Sequence, residues 1–211
     1  MSFNKTQSER VSSPDGARLL YIRGTKEKNL LLLGIAEEGE TARYTVSEAV
    51  YRSIGSPLRG DSITPTALTD IRDFDEGYRA RKYALSLLAL ADNNERGLAQ
   101  KLVRRGFPRE RATEVAREMV SLGYIDEERQ LERLILAEAC EKLSGPSKII
   151  PKLLSKGYQS SLVRATLSSL CERGEIDFKK NAKALLEKLG AADLPREEKK
   201  KILYKHGYRI C

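Results

Sequence analysis

The chain has 211 residues, of which 32% are charged, 40% are hydrophobic and 6% are aromatic. This length allows one large domain or two small ones, and the thinly spread apolar residues favour several small helical layers over one thick core. The net charge of +8 is uneven, because residues 1–77 carry 10 basic and 12 acidic residues and residues 78–211 carry 28 and 18. The asymmetry predicts an anionic partner, nucleic acid or an acidic protein surface; a basic helical protein without such a partner is the plainer alternative.

Several classes of protein are disfavoured at once. The longest apolar stretch, Leu30–Ala36, is far shorter than the roughly 18 residues of a membrane span, and the N-terminus has no apolar segment typical of a secretion signal. The three cysteines, Cys140, Cys171 and Cys211, are widely spaced without a CxxC pair. We therefore expect a cytoplasmic protein without a disulfide framework or a zinc site, with Cys140 and Cys171 in the core.

The N-terminal part predicts a small β element followed by helices. Residues 1–16 are polar and are expected to form a flexible tail. Three short runs bounded by turn residues favour a β-hairpin or small meander, although their leucines leave a helical alternative open: Leu19–Ile22, Leu30–Ile35 and Arg43–Val46. Ser47 can cap a short helix that Gly55 ends, and Thr64 with Pro65 can begin another.

The second part of the chain contains an internal repeat. Lys101–Phe107 aligns with Lys152–Tyr158, and Gly123–Asp126 aligns with Gly174–Asp177, both at an offset of 51; a third copy of the glycine turn, Leu203–Tyr208, follows at an offset of 50. Each unit has the pattern of three helices, in which a glycine at 106, 157 or 207 ends the middle helix. The chain is thus divided into residues 17–77, repeats at 78–125 and 126–176, and a truncated third repeat at 177–211. No unit can bury its apolar stripe alone, so the repeats are expected to stack.

The combination of these motifs resembles the bacterial regulatory protein RecX family over about residues 17–209. The motifs that carry the resemblance are Lys101-Leu102, Gly106-Phe107, Gly123-Tyr124-Ile125-Asp126-Glu127, Gly145-Pro146 and Lys156-Gly157-Tyr158. The resemblance implies a mainly α fold, with tandem three-helix repeats in a curved array after the small N-terminal β element. It also implies a monomer that uses no cofactor, binds the RecA recombinase filament on DNA along its groove, and inhibits its ATPase, strand exchange and coprotease activities in DNA repair, recombination and the SOS response.

The chain departs from the family pattern at three places. Residues 92–95, Asp-Asn-Asn-Glu, keep a helix cap but lose positive charge. Pro151 lies inside the predicted middle helix of the second repeat, so that helix is expected to start late or to kink. The third repeat lacks its last helix.

No catalytic constellation is found, so we expect no enzyme. His206 is the only histidine and is expected to be a structural or surface residue, which excludes the paired-histidine metal motifs. No GxxxxGK[ST] phosphate loop occurs either.

The basic residues are the candidate binding site. Three windows without Asp or Glu, residues 96–109, 142–171 and 199–211, fall on the middle helix and glycine turn of each repeat. If equivalent helices lie side by side, their charges form one continuous stripe; a merely solvated lysine face is the alternative. The candidate residues are Lys101, Arg104, Arg105, Arg109, Lys148, Lys152, Lys156, Arg164, Lys201 and Lys205. A helical-repeat protein that binds single- or double-stranded DNA directly, without the recombinase, is the second hypothesis.

Overall fold

The computed structural model describes residues 16–209, so the predicted tail lies outside the described residues except for Gly16. The chain forms two compact units that divide between Lys82 and Tyr83. Before that division lie β1 (Ala17–Gly24), β2 (Leu30–Glu37), β3 (Glu40–Ser47), α1 (Glu48–Ser53), β4 (Ser62–Ile63) and most of α2 (Pro65–Leu90). After it follow α3 (Glu95–Arg105), α4 (Arg109–Ser121), α5 (Glu127–Leu136) with a π-helical turn (Ala137–Glu141), α6 (Pro146–Ser155), α7 (Ser160–Glu172), α8 (Phe178–Lys188) and α9 (Arg196–Lys205).

The mainly helical fold with a small N-terminal antiparallel sheet is confirmed. The strand order is β3-β2-β1-β4, so the predicted three-stranded meander gains a fourth strand. This two-residue strand pairs Ile63 with Ala17. It is too short for a sequence pattern to reveal, and it forms because a distant edge strand accepts it.

The first unit has its core between the sheet and the start of α2. Leu19, Leu33, Ile35 and Val46 of the strands are fully buried, as is Ile71 of α2. The predicted caps are confirmed: the Ser47 side chain accepts a hydrogen bond from the Val50 N–H, and Thr64 Oγ1 accepts one from the Ala67 N–H at 3.2 Å.

The second unit repeats one local geometry at each helix end. Gly106, Gly123, Gly157 and Gly174 follow α3, α4, α6 and α7, and all have positive φ. At the end of α3, for example, the Phe107 N–H donates to the Leu102 carbonyl at 3.2 Å, a bond that closes the last turn only because glycine adopts the left-handed conformation. The predicted helix ends are confirmed; the domain boundaries stay a prediction.

The late start expected for α6 is wrong, because the helix begins at Pro146 and runs through Pro151; a kink at Pro151 stays a prediction. The expected burial of two cysteines is wrong as well. Cys140 and Cys171 are exposed rather than buried, because the π-helical turn and the end of α7 place them off the apolar face of their helices. None of the helices in residues 16–209 is both long and apolar enough to span a membrane.

Candidate partner-binding surface

The middle helices of the repeats, α3, α6 and α9, are joined end to end rather than side by side. At the first junction, Asn94 before α3 donates a hydrogen bond from Nδ2 to the Lys156 carbonyl at the end of α6, at 3.0 Å. At the second junction, the Gly145 N–H before α6 donates to the His206 carbonyl at the end of α9, at 2.8 Å. The expectation of side-by-side helices is therefore wrong, since these contacts join the start of one helix to the end of the next.

The two junctions are equivalent and electrostatically favourable. Gly145 stands 51 residues after Asn94, and His206 stands 50 residues after Lys156, which are the two offsets of the repeat. The second junction has a further bond, from the Ser147 N–H to the Gly207 carbonyl at 3.1 Å. The C-terminal end of each helix carries partial negative charge, and the N-terminal end it meets carries partial positive charge. The junctions thus order the three basic helices head to tail.

A buried polar network holds the first junction. Tyr158 Oη donates to Gln130 Oε1 at 2.9 Å, and Gln130 Nε2 donates to the Asn93 carbonyl at 3.2 Å. All three side chains are at least nine-tenths buried. Because buried polar groups without partners are costly, this network ties α5 and α6 to the start of α3 in one arrangement.

All ten predicted basic residues are exposed, but several are engaged within the protein. Lys101 Nζ donates to Asn93 Oδ1, the Arg105 guanidinium lies 5.5 Å from the centre of the Tyr83 ring, and Arg164 Nε donates to Ser160 Oγ at 3.3 Å. These contacts separate the predicted stripe into engaged and free cations.

Lys152 is the most firmly engaged. Its Nζ lies 2.7 Å from Glu138 Oε1, which Lys142 Nζ also approaches to 2.6 Å. Burial alone would raise the pKa of the Glu138 carboxyl, but hydrogen bonds from Lys142 and Lys152 outweigh it and hold that pKa below its ordinary value. The sequence did not indicate this pair, because Glu138 precedes the acid-free window 142–171 in the chain although its side chain contacts Lys152 within it.

The free cations fall into two groups, one along α6 and α9 and one beside α3. Lys148 and Lys205 lie on either side of the second junction, beside His206; burial, followed by the charges of these two lysines, lowers the pKa of His206. At the end of α6, Lys156 makes no side-chain ion pair in the described part of the chain. The same holds for Lys201 on α9. Of the predicted stripe, these four free lysines remain on and beside α6 and α9; we call them the basic path.

The other free cations line a groove beside α3. A cavity of about 590 Å³ is bordered by Arg96 and Arg104 of α3, Arg109 of α4 and the turn between α6 and α7. We call this cavity, with Arg96, Arg104 and Arg109, the arginine groove. Arg104 and Arg109 were predicted as site residues, whereas Arg96 was not. Its spacing of eight residues from Arg104 places both on one helix face and could have revealed it.

Comparison with known proteins finds solved structures that share this fold. No family model matches the chain. It is 24% identical, over 91% of its length and 95% of the relative's, to the regulatory protein RecX of Caldanaerobacter subterraneus subsp. tengcongensis. Among solved structures, a crystal structure of a regulatory protein RecX superposes with a TM-score of 0.67 at 20% identity, covering 92% of this chain and 95% of that one. RecX from Lactobacillus salivarius superposes with a TM-score of 0.53 at 17% identity, covering 64% and 90%.

One relative is similar enough in sequence to decide the family. The regulatory protein RecX of Halorhodospira halophila is 30% identical over 119 residues, which are 56% of this chain and 71% of that protein. This chain belongs to the RecX family of regulatory proteins.

Proposed function

We propose that this protein is a non-enzymatic regulator that binds the filament of the RecA recombinase on DNA, in the cytoplasm and as a monomer, and lowers its ATPase, strand-exchange and coprotease activities. The proposal is supported by the family of the chain and by the basic character of residues 78–211. It uses no cofactor of its own, because binding rather than chemistry is the activity.

The observation that carries the proposal is the head-to-tail order of α3, α6 and α9. It brings the middle helices of three repeats into one series, and the cations at these helices, Arg104, Lys148, Lys156, Lys201 and Lys205, are exposed and form no ion pair within residues 16–209. Unpaired cations on one surface repel each other, and an extended anionic partner relieves that repulsion. A filament of protein on DNA offers both acidic side chains and phosphates over such a length.

Measurement of recombinase ATP hydrolysis on single-stranded DNA tests the proposal. Addition of this protein to the preformed filament is expected to lower the rate of hydrolysis in a dose-dependent way, and the protein alone is expected to hydrolyse no ATP. An unchanged rate at every ratio of protein to recombinase would rule the regulator function out.

Direct DNA binding without the recombinase is the second candidate, since the same free lysines could contact phosphates. It predicts binding to bare single- or double-stranded DNA as tight as binding to the filament. Under the proposed function, the filament is bound more tightly than the same DNA without recombinase.

A further inference from the structure

The arginine groove contains cations that the fold itself leaves unused. Arg96, Arg104 and Arg109 are exposed and make no side-chain ion pair within residues 16–209. The two carboxylates at the groove are already engaged: Glu127 Oε1 accepts from the Glu95 N–H at 2.9 Å, and Glu95 Oε1 lies 3.6 Å from Arg117 Nε. The three guanidiniums are therefore available to a ligand.

The second repeat shows that the scaffold does not need these arginines. At an offset of 51, the positions of Arg96, Arg104 and Arg109 are all occupied by serine, namely Ser147, Ser155 and Ser160. The second repeat builds the same middle helix, glycine turn and following helix without them. The aliphatic part of Arg96 lies against Gly157, but the fold of the repeat does not require the three guanidinium groups of the first copy.

Two helix starts add positive potential at the same place. Arg109 opens α4 after Pro108, and Gln159, which also lines the groove, precedes α7; neither helix start has a side-chain cap. The first N–H groups of a helix lack partners within the helix and attract anions. Together with the arginines, they make the groove a site for an anionic ligand.

The remaining lining favours a polypeptide over a nucleic acid. Val103 lies between the arginines and is 43% exposed, which offers an apolar contact. Tyr158, the aromatic residue of the lining, is 8% exposed and its hydroxyl is bonded to Gln130, so it offers no stacking surface for a base. Glu95 and Glu127 would also repel a continuous phosphate chain, whereas a peptide can space its carboxylates to avoid them.

We propose that the arginine groove binds an acidic segment of a partner polypeptide, with an apolar side chain of that segment against Val103. Arginine forks bind carboxylates through paired, charge-assisted hydrogen bonds, which gives the groove both affinity and orientation. The inference deepens the proposed function and rests on it, since it names the kind of segment by which a protein of the filament is held.

The test uses the full chain and a short fluorescein-labelled peptide of Glu and Asp with a single Leu. Its binding is followed by fluorescence anisotropy for the parent and for the double variant Arg104→Ser, Arg109→Ser, which introduces the serines of the second repeat. We expect the affinity of the variant for the peptide to fall at least about tenfold, with an unchanged thermal midpoint. The Lys26→Ser, Lys28→Ser variant removes the same charge from the turn between β1 and β2 and is expected to bind as the parent does.

Three outcomes would overturn the inference: no binding of the peptide by the parent, equal losses in the groove and control variants, or a loss of oligothymidylate binding with peptide binding intact. The recombinase ATPase assay separates the two proposals. If the parent lowers the ATPase but does not bind the peptide, the groove inference fails and the regulator function stands. If the peptide binds through the groove but the ATPase is unaffected, the regulator function fails.

Discussion

Replacement of Gly145 by alanine tests the junction between α6 and α9. The backbone at Gly145 has φ −83° and ψ 166°, which alanine adopts without strain, so any effect comes from contact. A Cβ at this position would lie 2.3 Å from the Gly207 carbonyl oxygen, far inside van der Waals contact. Because the atom it meets belongs to the backbone, no side-chain rotation relieves the overlap.

The expected loss of unfolding free energy can be estimated for the two ways in which the protein could relieve this overlap. If the junction opens, the hydrogen bonds from Gly145 to His206 and from Ser147 to Gly207 are lost at about 1 kcal/mol each. If it stays closed, overpacking costs about 1–3 kcal/mol. Either route lowers the free energy of unfolding of the second unit by about 2 kcal/mol.

Urea denaturation followed by far-ultraviolet circular dichroism measures this change. Gly24→Ala is the matched control, because its Cβ would meet nothing within 4 Å and its φ is not left-handed; we expect its stability to stay within about 0.5 kcal/mol of the parent. If Gly145→Ala were as stable as this control, the end-to-end junction would be wrong.

Three further predictions concern polar groups. The pKa of Glu138 is lowered in the folded protein, so the ionised carboxylate stabilises the fold above the ordinary pKa of 4.5. This stability is lost as the pH falls through the lower pKa of the folded state. Glu138→Gln should therefore make the free energy of unfolding, measured by urea titration, depend less on pH in the acid range. Tyr158→Phe removes the hydrogen bond to Gln130 and should cost about 1 kcal/mol of unfolding free energy in the same assay. If phosphates are contacted, Lys156→Ala should flatten the slope of log affinity against log salt by about 0.7, whereas Lys152→Ala, whose lysine is held by Glu138, should change it less; equal effects would contradict this division of the basic residues.

Local signals made the helix ends predictable. Gly106, Gly123, Gly157 and Gly174 have positive φ at the helix ends that their spacing indicated, because a left-handed residue at a helix end depends on the glycine itself. Asp126 likewise caps α5, accepting from the Arg129 N–H at 3.0 Å. Such features need no knowledge of distant contacts.

Contacts between residues far apart in the chain could not be predicted from such local signals. Asn94 meets a carbonyl 62 residues away, and nothing in the pattern around Asn94 shows whether neighbouring repeats pack by their sides or by their ends. The pairing of Lys152 with Glu138 spans 14 residues and depends on the π-helical turn. The arginine groove depends on the first of these contacts, since Arg96 of α3 and Gln159 after α6 come together only when the first junction forms.

We propose that this protein recognises the recombinase filament through the basic residues of its head-to-tail helices. The most direct test of this proposal compares binding of the protein to the RecA filament on single-stranded DNA and to the same DNA bare, in one buffer, for the parent and for Lys148→Ser, Lys205→Ser. The account predicts tighter binding to the filament and a loss of filament affinity in this variant, with Lys26→Ser, Lys28→Ser unaffected. Equal binding to filament and bare DNA, or filament binding unchanged in the variant, would contradict it.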